Sequence, residues 1–154
     1  MPTQESPLAP GIPRYTVVTR DVAAGAQPTL DGLRWLKERG YRAVLNLLPE
    51  TDADPAEASM VRELGLEYLP LPVAPETINR QTVAQFNQIV DSAERPLFIH
   101  DSTGSRTGAM WYIQRITIDR VPPETARREA SQIGLSTSDT ELWLAIQRFL
   151  AENR

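Results

Sequence analysis

The segment Arg95 to Trp111, RPLFIHDSTGSRTGAMW, constrains the fold of this chain more than any other stretch. Leu97, Phe98 and Ile99 form a short apolar run with the character of a buried strand. Small and polar residues follow, then Arg106 and an apolar helix that Gly108 lets approach a neighbour closely. A strand turning directly into a helix gathers unpaired backbone N–H groups and the positive end of the helix dipole at one point, which favours a bound phosphate or sulfate. Arg106 adds a planar fork of donors suited to two anion oxygens. The same residues also suit an ordinary tight turn, with Arg106 as a salt-bridged or solvated helix-start residue.

Around this segment, strand and helix alternate. Val17 and Val18 suggest a first strand, and Thr29 caps a helix with Leu30, Leu33 and Leu36 on one face before Gly40 ends it. Arg42 to Leu47 reads as the next strand. Pro55 suits the first turn of a helix running to Leu64, which Gly65 stops ahead of a strand from Glu67 to Leu71. Pro70, Pro72 and Pro75 stiffen the connection to a helix with Val83, Phe86, Ile89 and Val90 on its apolar face. After the loop, Met110, Trp111, Ile113 and Ile116 point in several directions, so that helix is expected to be central and buried. Two helices finish the chain: one opened near Pro122, one from about Asp139 to Ala151 with Leu142, Ala145, Ile146 and Phe149 on one face. This alternation predicts an α/β fold, a mainly parallel central sheet flanked by helices, with the ligand loop at the carboxyl end of a strand. With 154 residues, 41% of them hydrophobic, the chain can fill one core. Pro2, Pro7, Pro10 and Pro13 make residues 1–14 an extended arm, leaving 15–154 as a single domain. Trp35, Trp111 and Trp143 lie on helix faces and are expected in the core rather than in a site.

Composition narrows the chemistry. There is no cysteine, which excludes disulfides, thiolate zinc sites and any thiolate nucleophile. A formal charge of −4 with basic residues dispersed along the chain makes no case for a nucleic-acid partner. The apolar runs are too short to span a bilayer, and Met1 to Pro13 lacks the basic-then-apolar order of a signal peptide, so the expected location is the cytoplasm. Neither a cofactor nor a metal is implied, and the oligomeric state cannot be read from these residues.

The run His100, Asp101, Ser102, Thr103, Gly104, Ser105, Arg106, Thr107, Gly108 resembles the HC…GxRTG signature loop of the cysteine-dependent tyrosine and dual-specificity phosphatases. In that family a cysteine thiolate attacks phosphorus while loop amides and the arginine hold the phosphoryl oxygens. Here Asp101 stands where the cysteine belongs, and four residues rather than the usual five separate it from Arg106. The shorter spacing is similar to bacterial phosphatase-like domains of the DUF442 type, known from fusions to β-lactamase-like hydrolases, and to rhodanese loops. Ala24 to Thr29 and Ala43 to Leu47 resemble the GQP and VINLR segments of the DUF442 group. The resemblance runs from Thr16 to Asp119. It implies a tyrosine-phosphatase-like domain whose Ser102, Thr103, Gly104, Ser105, Arg106 and Thr107 bind phosphate, sulfate or a phosphorylated group. His100 is then a structural support of the loop, and Thr107 is a cap in the absence of a thiol.

Four readings of Asp101 stay open. As a cap, it would accept loop N–H groups and fill the cradle with its own carboxylate, and a second carboxylate-like charge about 4 Å away would meet a repulsion of roughly 4 kcal/mol at an effective dielectric near 20. As a replacement for a cysteine, it would mark an inactivated phosphatase, whether natural or engineered. As a nucleophile, it would form an aspartyl-phosphate; Asp101 to Ser105 resembles the DKTGT segment of the haloacid-dehalogenase and P-type ATPase group, although Lys37 is the sole lysine and has no motif around it. As a metal ligand it would need His100, whose side chain should point to the opposite face of the strand. The phosphatase family also uses an aspartic acid on a separate loop as general acid. The matching segment Pro72 to Thr77 offers Glu76, with Asp52 and Asp54 as lesser candidates.

Overall fold

A computed structural model of the chain describes residues 9–153. Five strands form one sheet: β1 (Thr16–Thr19), β2 (Val22–Gly25), β3 (Ala43–Asn46), β4 (Glu67–Pro70) and β5 (Leu97–His100), in the order β1-β2-β5-β3-β4. The pairings β2–β5, β5–β3 and β3–β4 are parallel, and β1 runs antiparallel to β2 at the edge. The expected mainly parallel α/β architecture is therefore present.

One strand is not foreshadowed by the sequence pattern. In β2, Val-Ala-Ala-Gly, the small side chains give neither an apolar run nor an alternation, yet all four residues are buried because β2 lies beside the central strand. The register sets Ala24 opposite Ile99 and Gly25 opposite His100, so small residues flank the larger ones of β5.

Alternation along β5 divides the core. Leu97 and Ile99 face one layer, packed with Phe86 and Val90 of α3 (Arg80–Ser92), Met110 and Ile113 of α4 (Ser105–Thr117), Ile133 of α5 (Pro123–Ile133) and Ile146 of α6 (Thr140–Glu152). Phe98 faces the other layer, with Leu33 and Leu36 of α1 (Leu30–Glu38) and Val61 of α2 (Pro55–Glu63). The caps follow the sequence: Thr29 Oγ1 accepts from Gly32 N at 3.2 Å, and Asp54 Oδ1 accepts from Ala56 N at 2.9 Å ahead of Pro55.

As its all-round apolar pattern predicts, α4 is buried continuously from Thr107 to Gln114. Gly108 lets it meet α5: a Cβ there would lie 2.8 Å from the Ala130 carbonyl oxygen. Trp111 is buried, while Trp35 and Trp143 are partly buried and pack at the margins of the two core layers. Residues 1–8 of the proline-rich arm lie outside the described residues. From Ala9 to Arg14 the chain rests on the domain, with Ile12 buried, Gly11 O accepting from Thr29 N at 2.8 Å, and Pro13 O accepting from Ala26 N at 2.9 Å.

Candidate functional site

The carboxyl ends of the parallel strands β2, β5 and β3 converge where β5 gives way to residues 101–104 and the start of α4. Gly104 forms the N-cap of α4 at φ +93°, a conformation that favours glycine, and a Cβ on it would collide with the Ile133 carbonyl oxygen. No side chain caps α4 from that position. Asp101 does so from three residues earlier.

The Asp101 side chain is fully buried. Its Oδ2 accepts from the Arg106 N–H at 3.1 Å, and its Oδ1 accepts from the Thr107 N–H at 3.2 Å and the Thr107 hydroxyl at 2.8 Å. The carboxylate therefore sits at the positive end of α4, held by three donors. The N–H groups of Ser102, Thr103 and Gly104 have no acceptor among the described residues. Thr103 Oγ1 accepts from the Ser105 N–H at 3.3 Å and donates to Ser105 Oγ at 3.0 Å, which tightens the outer half of the loop.

Arg106 leaves the loop toward an open cleft of about 340 Å³, lined also by Pro75, Ser105 and the start of α6 from Ser138 to Leu142. Its Nε is buried and, among the described residues, without a hydrogen-bond partner. A buried guanidinium N–H lacking an acceptor costs about 1–3 kcal/mol, which an anion oxygen would recover. The expected loop residues 102–107 are thus together in space. Glu76 is not brought into the group: it is exposed on a short 3₁₀ turn (Pro75–Thr77) and does not line the cleft, although its neighbour Pro75 does. Asp52 is exposed, and Asp54 is spent as the cap of α2.

The His100 ring lies on the Phe98 face of β5, as strand alternation requires, and stacks on Phe98 with ring centroids 5.7 Å apart. Its ring places Nε2 2.6 Å from Glu57 Oε2 and Nδ1 3.2 Å from the Asp101 carbonyl oxygen. Glu57 Oε1 in turn accepts from Gln27 Nε2 at 2.7 Å, and the Gln27 N–H donates to the Ser102 carbonyl at 3.1 Å. Sequence reasoning missed Glu57 and Gln27 as site residues. An acid in the first turn of a helix reads as a dipole partner, and its His100 contact spans 43 positions. Asn46, at the end of β3, holds the adjacent loop by accepting from Leu48 N at 3.0 Å and donating to the Tyr68 hydroxyl at 3.1 Å. Burial pushes the Tyr68 phenol above its ordinary value; the Asn46 bond and Arg62 pull it down, and Glu57 adds to the rise.

Among the described residues no three His, Asp or Glu side chains gather as a metal centre requires, and no helix is long and apolar enough to cross a membrane. Chemically, the loop can hold an anion at its free N–H groups and Arg106, above a carboxylate already tied to the helix.

A strand, a small-residue loop with a GxRTG arginine turn and a buried helix, inside a five-stranded mainly parallel sheet, define a tyrosine-phosphatase-like α/β domain. The family model described as DSP-PTPase phosphatase fused to NAD+ kinase matches residues 15–145, and the chain belongs to this family. A β-lactamase hydrolase-like protein of Xylella fastidiosa is 22% identical over 139 residues, covering 87% of this chain and 32% of its own length. The chain thus spans about a third of that curated relative. Among solved structures, a DUF442-group protein from Shewanella putrefaciens CN-32 superposes with a TM-score of 0.75 at 20% identity, over 92% of each chain. TpbA of P. aeruginosa, solved as a cysteine-to-serine variant in complex with phosphotyrosine, has a TM-score of 0.75 at 16% identity, covering 92% of this chain and 87% of its own. The DUF442-like, tyrosine-phosphatase-like architecture is established by these likenesses.

Proposed function

We propose that this domain is a phosphatase-like module without the cysteine reaction, which binds phosphate, sulfate or a phosphorylated group on residues 102–107. The observation that carries the reading is Asp101. Its carboxylate lies at the base of the loop with both oxygens occupied by Arg106 and Thr107 donors, while the N–H groups of Ser102 to Gly104 and the buried Nε of Arg106 have no acceptors among the described residues. A thiolate mechanism has no residue to run on, since the chain contains no cysteine. The phosphotyrosine complex of a protein with the same fold supports a phosphoryl ligand.

An aspartyl-phosphate mechanism fits these positions less well. Asp101 is fully buried, and Lys37, the lysine such chemistry would need, reaches the Gly65 turn leading into the amino end of β4, at the end of the parallel strands opposite the loop. Glu76 as a general acid has a place in this reading only if a nucleophile is restored.

Melting experiments with inorganic phosphate or vanadate test the proposal. At a hundredfold excess over Kd the ligand should stabilise the fold by about 2.7 kcal/mol, and the shift should vanish in Arg106→Ala. Absence of a shift in the parent chain would remove the anion-binding reading and leave a structural or interaction domain.

A further inference from the structure

We propose that Gln27 and Glu57 are positioning residues of the anion loop, fixing through His100 and Ser102 the direction in which the loop's first two peptide planes face. In a trans peptide the carbonyl of one residue and the N–H of the next point in opposite directions. The Asp101 carbonyl is held by the His100 ring at 3.2 Å, and the Ser102 carbonyl by the Gln27 N–H at 3.1 Å. The N–H groups that share those two planes belong to Ser102 and Thr103. They are turned away from the His100 and Gln27 contacts, and neither has an acceptor among the described residues.

Glu57 joins the two tethers. Its side chain is nearly inaccessible, its Oε2 lies 2.6 Å from His100 Nε2, and its Oε1 accepts from Gln27 Nε2 at 2.7 Å. Both ring nitrogens of His100 lie within hydrogen-bond reach of an oxygen, Nδ1 of the Asp101 carbonyl and Nε2 of Glu57 Oε2, so the ring is held from both sides. Gln27 is bound twice over, by its side chain to Glu57 and by its backbone to the loop. Three elements are thereby locked to one junction: the segment after β2, the first turn of α2, and the end of β5. The orientation of the two planes stands on this geometry alone; its consequence for ligand affinity rests on the anion-binding reading above.

The test uses the ¹⁵N-labelled full chain, measuring residual dipolar couplings of the Ser102 and Thr103 N–H vectors and titrating with inorganic phosphate. In Glu57→Ala both vectors should reorient and the phosphate Kd should rise about tenfold or more. The exchanged pair Gln27→Glu/Glu57→Gln keeps an acceptor for His100 and an amide–carboxylate bond, and should return couplings and Kd toward the parent values. A residue that merely supports the fold would lower stability in Glu57→Ala and leave the two vectors where they were, and that result would overturn the proposal. If the parent chain takes up no phosphate, the anion-binding reading falls while the couplings still decide the positioning role. Should Glu57→Ala fail to fold, Glu57→Gln keeps the side-chain volume while giving up one of the two bonds, and unmoved couplings in it would equally refute the assignment.

Discussion

Asp101 occupies the point where helix dipole and loop amides converge, so a carboxylate there stabilises α4 and, on the proposed anion-binding reading, opposes an incoming anion. These effects separate in Asp101→Ser. Losing the capping carboxylate should cost about 1–2 kcal/mol of stability in denaturant unfolding. The same change frees the Arg106 and Thr107 N–H groups and removes a negative charge, so phosphate should bind about tenfold more tightly by calorimetry. Unchanged or weaker binding would mean that the carboxylate does not face the anion site. Asp101 and Arg106 were legible in the sequence because strand, small-residue turn and arginine are contiguous. Glu57 was not, because nothing local distinguishes a buried first-turn acid from a solvated one, and its partners come from distant segments.

At the scale of elements, α4 ties the loop to the rest of the domain. Its closest approach is to α5, through Gly108 under Ala130 O and Leu135, and through Gly104 against the Ile133–Gly134 end of that helix. Gly108→Ala should overpack this contact and lower stability by about 1–3 kcal/mol, measured by denaturant unfolding; a neutral effect would show that the helices can separate freely. The same pair of helices is clamped at the surface by Arg115, which donates to Glu129 at 2.8 and 3.0 Å, beside a Trp111 Nε1 bond to the same carboxylate at 3.0 Å. Helices α1 to α6 were readable from caps, glycine stops and apolar spacing. Strand β2 was not, since small side chains carry no periodicity and its burial comes from β5, contributed by a segment more than seventy positions away in the chain.

For the whole molecule, two groups set opposite edges of the stability profile. Burial alone would raise Glu129, but the Arg115 and Trp111 hydrogen bonds and the charges of Arg115 and Arg128 outweigh it and hold the carboxyl below its ordinary 4.5. Its contribution is therefore complete above that value and disappears as pH falls through the lower folded-state value, so Glu129→Gln should flatten the acid side of a plot of Tm against pH. Burial, with the hydrogen bond and charge of Tyr15, pushes the Tyr41 phenol well above its ordinary 10.0 against a smaller pull from Arg39. That stabilisation is present below 10 and lost as pH climbs toward the folded-state value, and Tyr41→Phe should weaken the alkaline fall. Neither group touches the loop, so phosphate affinity should stay at the parent value in both variants. The central claim, that this fold carries a phosphatase cradle without its nucleophile, is tested most directly by p-nitrophenyl phosphate hydrolysis in three chains: the parent, Asp101→Cys, and Asp101→Cys with Arg106→Ala. The account predicts an inactive parent, activity in the cysteine variant, and loss of that activity without Arg106. Hydrolysis by the parent chain, or an inert cysteine variant, would contradict it.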